Sequence, residues 1–349
     1  MSNYAPYATA AAVTAGVLGS AYCAYSIYKN KTRIPIEWRQ VGTLDKIYTY
    51  PIKSCAPVIL NSATCETLGL KDGWLRDRFL MIVDEKSNFI TARAYPELLL
   101  VEPTIRSSIL TLKHRDMEPV HVNLAEVIAL QTPKTGYVWG VPVPVLDCGW
   151  EVSEWISRMI NGNLKINYKN DAIFRLLDRS SINFRLVYYA SQNPRTLRDS
   201  TNKAYKFTKN DTGALPDETP FNMVNDASVD DLNTRLAPDC RVTHRSFRPN
   251  FLLKGSQAYD EDKWRFIKIG DNVFEILKPC GRCILTTIDP ETGVRNTKTE
   301  PLATLKTYRQ IEDPVLRKSA GNAPRMGLQM TLRSPPGGIV SLNDPVYVA

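Results

Sequence analysis

The sequence predicts an α+β protein dominated by β-structure, with one transmembrane helix ahead of two domains. Three observations carry this reading. Short apolar runs bounded by turn-forming residues recur from residue 41 to the C-terminus. Apolar side chains fall at helical spacing in only a few short segments. Residues 2–28 contain no charged side chain, and the 349-residue chain has room for about two domains of roughly 150 residues.

Taken in order, the span 8–28 is Ala-rich and long enough to cross roughly 30 Å of hydrocarbon as a helix. Positive charge follows it at Lys29, Lys31 and Arg33. A secretory signal carries that charge ahead of its apolar run, so the span reads as an anchor with the rest of the chain in the cytosol. Residues 29–40 read as a linker. Strands are expected at 43–50 and 57–68. A hairpin follows, 79–84 with 88–92, closed by Glu85-Lys86-Ser87. Further strands are expected at 98–101, 105–113, 120–124 and 137–146. Val152, Trp155, Ile156 and Met159 share one helical face, which predicts a helix over 149–160. The first domain thus spans 41–165.

The second domain spans 180–348. It opens on a polar stretch of about thirty residues, 189–220, long enough to suggest a functional loop. A helix is expected at 228–236. Strands are expected at 250–254, 265–269, 272–277 and 283–288. The tight turn Asp289-Pro290-Glu291-Thr292-Gly293 follows. A short helix over 301–309 begins at proline, and strands near 327–333 and 347 end the chain.

Composition narrows the chemistry. Lys and Arg total 44 against 36 Asp and Glu, a net charge of +8 with no run of basic residues. That suits an anionic cofactor or an acidic partner and argues against nucleic acid. Seven cysteines, an odd and scattered set, argue against a secreted disulfide framework. Three histidines (His114, His121, His244) are too few for a histidine-built metal centre. No phosphate-binding P-loop and no G-x-G-x-x-G occurs.

Cys280-Gly281-Arg282-Cys283 lies between two strand-like runs. Four readings stand open on the residues alone. The pair is a redox dithiol, although that motif normally opens a helix. It is half of a zinc site completed by Cys240 and His244. It is two packed core thiols. Or one thiolate binds a soft transition metal, with Arg282 close by.

The run from Cys280 through Gly293, followed by residues 300–310, closely resembles the MOSC-domain proteins, and among them the mitochondrial amidoxime-reducing component. Three upstream segments agree: Tyr50-Pro51-Ile52-Lys53-Ser54-Cys55; Leu75-Arg76-Asp77-Arg78-Phe79 with Thr91-Ala92-Arg93; and Phe247-Arg248-Pro249-Asn250. The resemblance implies an N-terminal MOSC β-barrel-like domain and a C-terminal MOSC β-barrel domain. It implies a molybdenum cofactor, a pterin with a metal-holding dithiolene and an anionic phosphate. Cys283 would be the metal ligand and the catalytic residue. Lys53, Ser54, Arg78, Thr219, Arg248, Asn250, Gly281 and Arg282 would bind the cofactor. Charge-assisted hydrogen bonds from the basic members suit phosphate oxygens.

The activity implied is reduction of N-hydroxylated compounds (amidoximes, hydroxylamines, and nitrite as a further substrate). Electrons would come from cytochrome b5 and its NADH-dependent reductase. The site implied is the mitochondrial outer membrane, with other cytosol-facing membranes such as peroxisome or endoplasmic reticulum as alternatives. The alternative functions are a cofactor or sulfur carrier related to molybdenum-cofactor sulfurases and a zinc-stabilised adaptor without catalysis. Two residues depart from the family pattern: Glu218 stands where threonine is common, and Gly281 where serine is common. Glu218 is expected to turn away from an anion.

Overall fold

The computed structural model describes residues 34–161, 184–198, 205, 207–320 and 322–349. The expected anchor at 8–28 lies outside the described residues; among those described, no helix is long and apolar enough to cross a membrane. The chain divides at Trp38, and Arg39–Ala349 form one unit.

The strands Phe251–Lys254, Phe221–Asn225, Arg325–Leu332, Asn272–Gly281, Phe266–Ile269, Pro345–Val348 and Arg39–Thr49 pair in that order. Arg39–Thr49 then pairs back onto Phe251–Lys254, so the sheet closes into a barrel. Every pairing is antiparallel except Phe221–Asn225 with Phe251–Lys254, which is parallel. A parallel pair needs a crossover. Here it contains the helix Asp226–Arg235 and the 3₁₀ turn His244–Phe247, and it delivers Arg248 and Asn250 to the start of a barrel strand. Phe221, Phe251 and Phe274 fill the interior with ring centroids 5.1–5.9 Å apart.

The rest of the chain forms smaller sheets. Leu80–Asp84, Lys134–Val138, Val141–Asp147 and Phe184–Tyr189 make one, and Glu102–Arg106, Ile109–His114 and Met117–Asn123 another. The helix Trp150–Ile160 buries Val152, Trp155, Ile156 and Met159, the face its spacing predicts. Trp155 Nε1 donates to the Glu118 carbonyl at 2.7 Å, which ties the helix to the three-stranded sheet. The sequence division near 165–180 does not run between sheets. Arg39–Thr49 completes the C-terminal barrel, and Gly338–Ser341 pairs with Ser62–Glu66.

Local differences from the sequence reading have identifiable causes. Residues 98–100 belong to a 3₁₀ helix, Pro96–Leu100, opened by its proline, and Val101 is its extended cap; an apolar run this short does not distinguish a strand from a buried turn. The strand expected at 283–288 is likewise replaced by a 3₁₀ helix, Ile284–Thr287, between extended caps at Cys283 and Ile288. Thr286 and Thr287 hydroxyls donate to the carbonyls of Cys283 and Ile284 at 2.9 and 2.8 Å and hold the turn. The strand expected at 120–124 ends at Asn123, where the helix Leu124–Leu130 begins. Asn123 caps it by accepting from Ala125 N at 3.2 Å and donates to Glu126 at 2.8 Å. Residues 105–113 split into two strands at Ser107-Ser108. Residues 88–92 make only isolated bridges, such as Val83 with Phe89.

Barrel closure depends on a close backbone approach at Gly42, beside a register shift in Arg39–Thr49. A Cβ there would fall on the Lys254 carbonyl oxygen. We expect Gly42→Val to lower stability by about 2–4 kcal/mol through backbone displacement. Gly73→Ala should cost less, about 1–2 kcal/mol and all of it from the left-handed backbone at φ 56°, because nothing lies within 4 Å of a Cβ at that turn. Urea unfolding of the two variants checks this; equal midpoints would mean that the barrel does not close there.

Candidate functional site

Asp77 follows the short strand Leu75–Arg76 and is 1% exposed. A buried carboxylate must be fully paired, and donors from several segments meet it. Its Oδ1 accepts from Tyr50 N at 2.8 Å, Asn250 Nδ2 at 3.0 Å and Thr49 Oγ1 at 3.4 Å. Its Oδ2 pairs with Arg78 Nη1 at 2.5 Å. Arg78 Nη2 then donates to the Arg248 carbonyl at 3.3 Å. Arg78 and Arg248 both adopt left-handed backbone angles (φ 51° and 50°), as does Ser54 (φ 74°). Such conformations cost about 1–3 kcal/mol each and persist only where the surroundings impose them.

The Tyr50 ring lies against both guanidiniums, 4.7 Å from Arg78 and 4.2 Å from Arg248. Tyr50 OH and Arg248 Nη2 are buried with no hydrogen-bond partner among the described residues. Burial lowers the Arg248 guanidinium to about 10, so it stays charged at neutral pH. Burial pushes the Tyr50 phenol up to about 12. An orphaned guanidinium nitrogen beside a second arginine is a seat for an anion.

Both arginines line a cavity of about 420 Å³ to which both halves of the chain contribute. Eight Lys and Arg side chains line it against two acids, Asp217 and Glu218. All nine residues named from the sequence stand on this cavity: Lys53, Ser54, Arg78, Thr219, Arg248, Asn250, Gly281, Arg282 and Cys283. They do not all offer free groups. Lys53 Nζ donates to the Leu215 carbonyl at 2.9 Å and pairs with Asp217 at 2.5 Å. Asn250 spends its amide on Asp77, on the Tyr48 carbonyl and on Asn222 N, so it braces the wall. Thr219 Oγ1 donates to the Phe221 carbonyl at 3.0 Å.

Arg282 differs from its expected role. Its guanidinium donates to the carbonyls of Met326 at 2.7 Å and Phe247 at 2.8 Å, and its N–H to Pro324 O at 2.7 Å. These bonds tie the segments at the barrel mouth together. Glu218 does not turn away: it lines the cavity and is neutralised by Lys278 Nζ at 2.7 Å.

The two thiols of the Cys-x-x-Cys differ. Cys280 is buried, and its sulfur accepts from Gln329 Nε2 at 3.6 Å. Cys283 is half-buried, lines the cavity and accepts from Arg93 Nε at 3.3 Å. The zinc reading fails. Cys240 accepts from Asn296 Nδ2 at 3.4 Å, His244 Nε2 is engaged with Tyr48 OH at 2.8 Å, and no metal-holding cluster of His, Cys, Asp or Glu exists among the described residues.

Sequence reasoning missed a second charged group. Asp217 accepts from Lys53, from Arg93 Nη2 at 2.8 Å and from Trp139 Nε1 at 3.1 Å. Burial opposes its ionisation, yet Lys53 and Arg93 hold its carboxyl well below the usual carboxylate range. Arg195 Nη2 donates to the carbonyls of Pro216 and Asp217 at 2.6 Å, which fixes the loop that carries Asp217. The polar composition of 189–220 marked this stretch as functional, but nothing local said which residue faced inward.

The platform under the arginines is testable. Inorganic phosphate titrated into the cofactor-free full chain should bind roughly tenfold more weakly to Tyr50→Leu than to wild type, because the cation–π support is gone. Tyr50→Phe keeps the ring and should stay within about twofold of wild type. Equal losses in both variants would make the hydroxyl, and not the ring, the important group.

Comparison with known proteins agrees with this geometry. Residues 41–163 match the MOSC N-terminal beta barrel domain and residues 210–347 match the MOSC domain. The chain is 34% identical over 319 residues to "Mitochondrial amidoxime-reducing component 1" of Homo sapiens, covering 89% of this chain and 84% of that protein. It is 35% identical to the Mus musculus protein of the same name, covering 89% and 83%, and 35% identical to that of Danio rerio, covering 88% and 85%. A half-exposed thiol and a buried anion seat on one cavity, within a chain that matches both domains in order, place this protein in the MOSC-domain family.

Proposed function

We propose that the protein holds a molybdenum cofactor in this cavity and reduces N-hydroxylated compounds such as amidoximes and hydroxylamines. Electrons come from cytochrome b5 and its NADH-dependent reductase. The chain is anchored in the mitochondrial outer membrane with its catalytic part toward the cytosol. The observation that carries the reading is the pairing, on one cavity, of an accessible thiol at Cys283 with the unpartnered buried Nη2 of Arg248. The names of the relatives, amidoxime-reducing components, support the same chemistry.

The residues present fit such a cofactor. Arg248 Nη2 lacks a partner that a phosphate or pterin oxygen provides. Arg78 offers the face of its guanidinium left over from Asp77 and Arg248. Cys283 offers a soft sulfur ligand suited to a metal already bound by sulfur. When bound, the cofactor supplies two-electron redox chemistry; the protein supplies position, charge and exclusion of bulk water. Trp139, Phe247 and Leu285 contribute apolar surface to the lining, which limits solvent around the thiol.

Purified full-length protein should carry molybdenum near one atom per chain together with pterin; zinc in its place would overturn the proposal. Reconstituted with cytochrome b5, its reductase and NADH, it should reduce benzamidoxime. Cys283→Ala should abolish that activity while pterin stays bound, because the Arg78 and Arg248 contacts remain. Cys280→Ala should keep most of it, since that thiol faces Gln329. The reverse pattern would exchange their roles.

A further inference from the structure

We propose that Arg93 is the positioning residue for the Cys283 thiol, and that Asp217 and Trp139 hold it in that place. Four separate parts of the chain converge here. Arg93 lies in the turn after Ile90, where the N–H groups of Ala94 and Tyr95 bond to the Thr91 carbonyl. Trp139 lies between the strands Lys134–Val138 and Val141–Asp147, at φ 55°. Asp217 comes from the long polar loop, and Cys283 follows the barrel strand Asn272–Gly281. Contact among them joins the N-terminal sheets to the barrel at the thiol.

The guanidinium divides its donors between two acceptors. Nε donates to Cys283 Sγ at 3.3 Å and Nη2 to Asp217 Oδ2 at 2.8 Å. Arg93 lies 5.1 Å from the Trp139 ring, whose Nε1 donates to the other Asp217 oxygen at 3.1 Å. Phe89 backs the indole edge-on at 5.1 Å. The Arg93 carbonyl accepts from Arg295 Nη2 at 2.5 Å, which ties its backbone to the turn region following Cys283. Arg93 is thus fixed by a carboxylate, an aromatic face and a backbone tie, and its Nε is left to donate to the sulfur. Cys280 accepts instead from the amide of Gln329, and no guanidinium reaches it among the described residues. The planar fork is what allows one side chain to bridge sulfur and carboxylate; a lysine ammonium is a point charge without that geometry. Partners that orient a metal ligand commonly matter about 10–100-fold to affinity or activity.

The inference rests on Cys283 being the metal ligand, and the experiment separates the two. Arg93→Lys and Arg93→Ala, purified as full chains, are analysed for pterin and molybdenum and by electron paramagnetic resonance of the one-electron-reduced metal. Both variants should retain pterin within about twofold of wild type, with benzamidoxime turnover reduced by roughly 10–100-fold. Both should show a resonance shifted from wild type, because the sulfur no longer sits at one fixed angle. Unchanged spectra in both variants would overturn the proposal. So would loss of pterin with an unchanged melting temperature, which would make Arg93 a cofactor anchor. Should Arg93→Ala fail to fold, Arg93→Lys decides by the same criteria. A Cys283→Ala spectrum identical to wild type would instead remove the ligand assignment on which the inference stands.

Discussion

The anion end of the candidate site depends on the buried carboxylate of Asp77. It is 1% exposed and receives donors from Thr49, Tyr50, Arg78 and Asn250. Those residues come from the end of the first barrel strand, the segment after Leu75–Arg76 and the crossover before Phe251–Lys254. Leaving one member of such a buried charged pair alone costs about 3–5 kcal/mol, so the segments are held in one mutual arrangement. That arrangement sets the left-handed backbone at Arg78 and Arg248 and places both guanidiniums on the Tyr50 ring. The orphaned Nη2 of Arg248 follows: the network that brings the arginine in leaves that nitrogen without an acceptor among the described residues.

The cavity has two ends of different character, both built by long-range contacts. At the anion end, Arg78 and Arg248 are set by Asp77. At the thiol end, Arg93 and Lys53 are set by Asp217, an acid from a loop far away in sequence. Two acids, Asp77 paired with Arg78 and the part-exposed Asp217 paired with Lys53 and Arg93, keep several positive side chains close together without mutual repulsion dominating. The excess charge left over is what an anionic ligand would meet. Arg282, by contrast, has its guanidinium engaged with protein carbonyls and closes the barrel mouth.

Elements with a strong local pattern were legible in the sequence. The helix Trp150–Ile160 follows its apolar face, and the hairpin Phe266–Ile269 with Asn272–Gly281 follows its alternation and turn. Ile284–Thr287 was not, because Thr286 and Thr287 turn their hydroxyls back onto the chain in a segment whose residue types favour a strand. The barrel's closure by Arg39–Thr49 has no local signal, since it joins residues some two hundred positions apart. At the site, motif resemblance named residues that do gather on one cavity, but it did not say which of their atoms are free. Asn250 and Arg282 turn out to be braces. Arg93 stood in a quoted motif without a role, and Asp217 and Trp139 in none, because the bonds that join them, Arg93 to Cys283 and to Asp217 and Trp139 to Asp217, link segments far apart in sequence.

X-ray absorption at the molybdenum edge of the purified full chain addresses the central claim most directly. Wild type should show one sulfur ligand beyond those of the pterin dithiolene, and that sulfur should be missing in Cys283→Ala. An identical sulfur shell in the two proteins, or a wild-type protein without molybdenum, would contradict the account.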